Sequence, residues 1–318
     1  MEIQFLGTSA GQPTKFRNVS SIALKLLNEI NQVWLFDVGE ATQHQIIRTD
    51  VHSRKINKIF LSHLHGDHIF GLPGFLASRN FQASDNIDNG KPTELTIYSP
   101  AGVERFVRDS LEVSKTRLDY KINFVDVNPG VIFDDGKFKV TAYALKHPLP
   151  TFAYRIEEIN VEGELDIQGL LKLGIQPGPI MGLIKKGEKV TLDDGTVING
   201  QDFVFKREGR IITIVSDTKD TSIIEEAAQN ADVLIHEATY ASSQSLIAKK
   251  HGHSTSLQAA IHAKNANAKQ LILTHISPRY VGKLEKELLL DAQDVFSNIS
   301  VARDFSNYEV EQKEAKRG

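Results

Sequence analysis

His63-Leu64-His65-Gly66-Asp67-His68 places four metal-ligating side chains within six residues. It follows Lys58-Ile59-Phe60-Leu61-Ser62, whose apolar run reads as a buried strand. Side chains alternate along an extended chain, so His63 and His65 share a side if the chain stays extended past Leu61. Asp67 can follow on that side, with Gly66 permitting a sharp turn, and His68 emerges on another face. One loop then offers two ligands to one cation and two to a neighbour. Imidazole and carboxylate are groups that zinc accepts at neutral pH. The bland reading is a His-rich surface loop, but the position straight after a buried strand argues against it.

Composition narrows the chemistry. The chain has 318 residues, 41% hydrophobic and 24% charged, a composition ordinary for a soluble protein. That length suits one large α/β domain or two small ones, with a sizeable core. No apolar run approaches the roughly 18 residues that span a bilayer. Met1-Glu2-Ile3-Gln4-Phe5-Leu6-Gly7 enters a strand-like run with no basic segment before it, so no signal peptide is expected and the default location is cytoplasmic. There is no Cys, which excludes disulfides and thiolate zinc sites. A net charge of -3 argues against a surface coated in basic residues for nucleic acid, though not against a local patch.

Further strands are expected at Ile3–Gly7, Ser20–Leu26, Val33–Asp37, Leu95–Tyr98, Phe124–Val127 and Phe138–Leu145. Helices are expected over Glu40–Arg48, Phe70–Ala83, Ala101–Val113, Ser222–Gln229, Ser256–Asn265 and Lys283–Phe296, with a polar loop from Asp85 to Pro92. From about residue 155 to 202 the chain turns glycine-rich, and Asp193-Asp194-Gly195 divides a hairpin. This segment reads as an insertion projecting from the main body. The charged tail from Gln312 is expected to fray.

Later strands end in candidate ligands. Phe138–Leu145 runs into His147, Arg210–Val215 ends at Ser216-Asp217-Thr218, and Leu271-Ile272-Leu273 ends at Thr274-His275. Ile59-Phe60-Leu61-Ser62-His63 echoes that last strand. Several strand ends converging on one sheet edge is how α/β scaffolds build sites. His63, His65 and His147 would surround one cation, and Asp67, His68 and His275 a second, with Asp217 between them. Two cations roughly 3.5–4 Å apart sharing a bridging water form a hydrolytic centre. Each residue keeps an alternative. His147 before Pro148 could be a turn residue, Asp217 a helix N-cap, and His275 a core histidine.

His63-x-His65-x-Asp67-His68 with His147, Asp217 and His275 resembles the metallo-β-lactamase superfamily. Within it, Pro13-Thr14-Lys15-Phe16-Arg17-Asn18, Phe36-Asp37-Val38-Gly39-Glu40-Ala41-Thr42-Gln43, His236-Glu237-Ala238-Thr239, Gly252-His253-Ser254-Thr255 and His275-Ile276-Ser277-x-Arg279-Tyr280 are similar to the ribonuclease Z family. The resemblance spans nearly the whole chain, at the length of the short, dimeric form. It implies a single domain over 1–318 with an αββα four-layer sandwich and an inserted tRNA-binding arm. It also implies two Zn²⁺ per subunit, a homodimer, and an endonuclease that removes the 3′ trailer from precursor tRNA by a metal-bridged hydroxide. The products are a 3′-hydroxyl on the tRNA and a 5′-phosphate on the trailer.

Under that resemblance Asp67 doubles as the group that orients or deprotonates the attacking hydroxide. His253 is the candidate general acid, with Glu237 orienting it and raising its pKa. The alternative for His253 is a cap on the helix beginning near Ser254 or Thr255. Lys15 and Arg17 would meet phosphates, or else belong to an ordinary polar loop. In the arm, Pro177-Gly178-Pro179, Lys185 and Lys186 would contact tRNA, although Glu157–Gly200 is acidic overall. A related lactonase, thioesterase or small phosphodiesterase shares the ligand set. A non-catalytic RNA- or metal-binding scaffold would be expected to have lost ligands.

Overall fold

Near-continuous burial marks most of the central strands, which are covered on both faces. The computed structural model describes residues 1–83, 87–88, 91–92, 94–192, 194–314 and 316–317. Parts of the polar loop expected over Asp85–Pro92, and Asp193 of the expected turn, lie outside the described residues.

The chain divides into two units, the larger made of residues 1–133, 140–156 and 211–310. One seven-stranded sheet holds β1 (Glu2–Gly7), β2 (Ser21–Leu26), β3 (Gln32–Phe36), β4 (Ile56–Phe60), β5 (Leu95–Ser99) and β6 (Ile122–Asp126). The other holds β7 (Gly130–Asp134), β8 (Phe138–Ala144), β9 (Phe152–Glu158), β10 (Ile211–Val215), β11 (Val233–Glu237), β12 (Leu271–Thr274) and β13 (Ile299–Val301). A last strand, β14 (Asn307–Glu309), returns to the first sheet beside β1. The orders are β14-β1-β2-β3-β4-β5-β6 and β13-β12-β11-β10-β9-β8-β7.

Each sheet has a helix-covered face and an inner face. Val33, Leu35, Ile59 and Leu61 pack with Ile46, Leu72, Phe75 and Val107 of the first sheet's helices. Their neighbours Trp34, Phe36 and Phe60 point the other way. Phe36 stacks on Phe60 at 5.0 Å between ring centres, and Tyr154 of β9 lies 5.5 Å from Phe60. On the far side Leu234, Leu271 and Leu273 pack with Ile224, Ala259 and Ala263. The layers are helix, sheet, sheet, helix. Burying each Leu, Ile or Phe this completely contributes about 1.5–3 kcal/mol, which holds the strand ends in place.

Several helices are shorter than the sequence predicts, and one is broken. Helices run over Thr42–Ile46, Leu72–Ala83 and Val103–Val113, while the Lys283–Phe296 stretch is a 3₁₀ segment, Gly282–Leu288, followed by a helix over Leu290–Val295. Among the described residues no helix is long and apolar enough to cross a membrane.

The second unit comprises residues 134–139, 157–210 and 311–318. It has its own core of Leu170, Ile175, Met181, Ile184, Val190 and Ile198. The expected hairpin pairs Lys189–Thr191 with Val197–Asn199. The segment expected at 155–202 thus extends to Arg210 and takes in two distant pieces. The tail does not fray throughout: Lys316 and Arg317 pair with Lys206 and Phe205.

Candidate metal centre and active site

The ligands leave their strands where the backbone must turn. His63 and His65 follow β4, and the helix Gly66–Ile69 begins directly after His65, turning Asp67 and His68 inward. Gly66 serves there by size rather than by a special turn, since a Cβ would lie 2.3 Å from the Phe70 ring. His275 follows β12 with φ of 56°, a left-handed conformation costly for a residue with a Cβ. That turn aims its ring across the sheet end instead of along the strand.

Two groups of ligand atoms result. In the first, His63 Nε2 lies 2.9 Å from His65 Nδ1 and 3.6 Å from Asp217 Oδ2, and His147 Nε2 lies 3.3 Å from His65 Nδ1. In the second, His275 Nε2 is 3.3 Å from Asp67 Oδ2 and 3.3 Å from Asp217 Oδ1, and His68 Nε2 is 3.5 Å and 3.6 Å from the same two oxygens. Tetrahedral zinc with bonds near 2.0–2.1 Å separates its ligand atoms by roughly 3.3–3.4 Å. Both groups bracket that spacing. Asp217 gives one oxygen to each. His68 Nε2 and Asp217 Oδ1 are buried with no hydrogen-bond partner among the described residues, the signature of groups meant for a cation. The residues present therefore fit two divalent metals.

The electrostatics agree. Burial, then the charge of His68, push His63 down to about 2, which leaves it neutral and able to ligate. Burial works against charge on Asp67, but the hydrogen bond from His275 and the charge of His68 hold its carboxyl far below the usual range. Burial likewise opposes charge on Asp217, and its neighbours His275 and His68 outweigh it. Both carboxylates are ionised at neutral pH. The centre opens on a cleft of about 690 Å³ bordered by Gly11, Gln12, Tyr240, His251 and Pro278.

Comparison with known proteins fixes the family. A ribonuclease Z of Oenococcus oeni is 56% identical over 318 residues, covering 100% of this chain and 98% of the relative. One from Listeria monocytogenes is 52% identical over 311 residues, covering 98% and 99%. The chain belongs to the ribonuclease Z family. Human tRNase Z, short form, superposes with a TM-score of 0.70 at 29% identity, covering 98% of this chain and 100% of that one. A metallo-β-lactamase fold protein of Bacillus subtilis, YhfI, matches the fold at 20% identity with a TM-score of 0.65, covering 96% and 98%. A family model described as Anti-Pycsar protein Apyc1 matches residues 1–148. The chain is an enzyme of the ribonuclease Z family with the metallo-β-lactamase fold.

Beside the two ligand groups of this ribonuclease Z family member stands the pair His253 and Glu237. His253 Nδ1 is 3.1 Å from Glu237 Oε1 and 3.9 Å from Asp217 Oδ2. Burial opposes the charge on His253, but Glu237, by charge and hydrogen bond, then Asp217 and Asp67, raise it to about 9. His253 does not cap the following helix. Thr255 is that N-cap, its hydroxyl accepting from Gln258 N at 3.3 Å while Gln258 Oε1 accepts from Thr255 N at 2.9 Å. Glu237 is fixed by backbone N–H groups of Thr218 at 3.1 Å and Ser254 at 2.9 Å. Gly252, at φ of 84°, brings its carbonyl within 2.9 Å of His147 Nδ1, so the loop carrying His253 also orients a ligand.

The substrate-contact residues expected from the ribonuclease Z resemblance belong to both units. Lys15 is exposed. Arg17 is not a free cation for phosphate. It is buried, with its guanidinium bonded to Thr8 Oγ1 and the Ala302 carbonyl and paired with Glu285 at 2.8 Å. The reason is that its loop folds back against Asp304, which accepts from Asn18 N at 2.6 Å and Thr8 Oγ1 at 2.7 Å. Pro177, Gly178, Pro179, Lys185 and Lys186 are exposed in the second unit, around the helix Pro179–Lys185.

Two supporting residues escaped the sequence reading. Asp37, at φ of 59° after β3, sits 2.7 Å from His68 Nδ1 and accepts from Ser62 N at 2.7 Å. Ser62 Oγ donates to Asp37 at 2.8 Å and lies 3.0 Å from His63 Nδ1, which leaves His63 Nε2 for a cation. The signal was available, since Asp37 also ends an apolar strand.

Proposed function

We propose that the chain is a zinc-dependent endoribonuclease that removes the 3′ trailer from precursor tRNA. It leaves a 3′-hydroxyl on the tRNA and a 5′-phosphate on the trailer. The observation that carries this reading is a proton donor beside a two-cation ligand set: His253, held by Glu237, within 3.9 Å of Asp217. Full-length similarity to ribonucleases Z supplies the substrate.

His63, His65, His147 and Asp217 would hold one cation, and Asp67, His68, Asp217 and His275 the other. Bound there, two divalent cations acidify water and neutralise charge on the phosphodiester oxygens. Asp67 Oδ2 accepts from Gly11 N at 2.8 Å and stays ionised, so it orients or deprotonates the attacking water. His253 keeps its Nδ1 proton on Glu237 and presents Nε2–H to the departing ribose 3′-oxygen. An alkoxide is a poor leaving group, so this proton matters most for natural RNA. The second unit recognises the folded tRNA through its Lys185–Lys189 cluster and exposed backbone amides. The proposal extends to a homodimer, which sedimentation of the purified protein checks.

The test is incubation of the zinc-loaded protein with a precursor tRNA and mapping of both new ends. A cut beside the discriminator nucleotide with a 3′-hydroxyl is expected. A cyclic or 3′-phosphate end, or no cut, overturns the proposal.

A further inference from the structure

Thr239 lies 3% exposed, where the two functional groups of the site meet. Its Oγ1 is 2.8 Å from Glu237 Oε2, 2.9 Å from His275 Nδ1 and 3.3 Å from His253 Nδ1. A hydroxyl has one hydrogen and two lone pairs. Glu237 accepts N–H groups from Thr218, Ser254 and Thr239 itself, so its oxygens face donors. If the Thr239 hydrogen went to His275 instead, a lone pair would oppose a carboxylate oxygen at 2.8 Å. His275 would then carry its proton on Nε2, the atom that lies 3.3 Å from both Asp67 and Asp217. Both consequences are unfavourable, and only one orientation avoids them.

We propose that Thr239 is a positioning residue: its hydroxyl donates to Glu237 and accepts a hydrogen bond from the Nδ1–H of His275, which keeps His275 Nε2 bare and aimed at the second cation site. The same oxygen lies beside His253 Nδ1, so one hydroxyl ties the second cation site to the general-acid pair. Ser62 has the matching place in the first sheet, between Asp37 and His63. This inference rests on the two-cation reading above.

Zinc affinity measured by competition with a chromophoric chelator tests it, comparing the wild type with T239V and T239S. Supporting partners of metal-ligating histidines are worth roughly 10–100-fold in affinity. T239V, of similar shape but without a hydroxyl, is expected to weaken one of the two bound zinc ions by that factor. T239S is expected to restore it. Equal affinity in T239V, or the same loss in T239S, overturns the inference while the two-cation reading stands. A wild type that takes up only one zinc ion overturns both. Should T239V fail to fold, long-range ¹H–¹⁵N spectra of the zinc-loaded wild type decide the matter. A proton on His275 Nδ1 is expected, and one on Nε2 overturns the proposal.

Discussion

His253 shows how a residue acquires a role from its neighbours. Unperturbed histidine is mostly neutral above pH 7. Here Glu237 leads the groups that lift it to about 9, so in the proposed reaction it would hold a proton for the leaving oxygen. Cations on Asp67 and Asp217 cancel those carboxylates' share of the rise, which brings the working value down. A raised histidine pKa means that the protonated form, and with it the activity, is lost as pH rises through that value. The alkaline limb of kcat/KM should therefore fall below pH 9, and E237Q should move it to lower pH still. An unmoved limb would assign the proton to another group. H253A should slow cleavage of precursor tRNA by roughly 10²–10⁴-fold, but a nitrophenyl phosphodiester, whose leaving group needs no proton, far less. An equal loss on both substrates rules out the general-acid role.

The strands are the elements that the chain announces most clearly. Val33–Asp37, Ile56–Leu61 and Leu271–Leu273 all carry apolar runs, and each ends at a candidate ligand or its partner, still buried, where the strand pairing stops and the chain turns. Helix limits were less legible. Lys283–Phe296 has a helical pattern, but the structure interrupts it with a 3₁₀ turn before Leu290. Tertiary contacts of Leu288 and Ala292 with the second sheet's helices set that break, not local preference. The glycine-rich segment was visible as a change in composition, but its true limits depend on pairing far along the chain. Leu165 faces Val204 across a strand pair, so Asp166–Phe203 can be replaced by a two-residue turn. This variant should keep the wild-type rate on a small phosphodiester and raise KM for precursor tRNA by roughly tenfold or more, the effect of losing a few phosphate contacts. Equal losses on both substrates would make the segment structural.

At the scale of the molecule, two sheets present matching edges to one another. In each, a carboxylate strand lies parallel to a histidine strand: β3 beside β4, with Phe36 opposite Phe60, and β11 beside β12, with Glu237 opposite Thr274. The centre concentrates buried ligand atoms, two of them without a hydrogen-bond partner among the described residues, so removal of the proposed metals should cost stability. At a hundredfold excess over Kd each bound cation contributes about 2.7 kcal/mol. Chelation should lower Tm by several degrees, and an unchanged Tm in a calorimeter would show that the site holds no metal. Taken alone, the sequence marked the strands that carry the candidate ligands and the residue types at their ends, because an apolar run is a local property of neighbouring residues, but it did not reveal Gly130–Asp134, Phe152–Glu158, Ile299–Val301 or Asn307–Glu309. It also marked His63–His68 as the organising loop. Tertiary structure alone decided the partners. His147 meets His65 across 82 positions and His275 meets Asp67 across 208, distances that only the packing of one sheet on the other can close. The same packing buried Arg17 and placed Asp37 and Thr239 behind the ligands, since a hydrogen-bond partner is set by where two surfaces meet and not by the residues on either side of it.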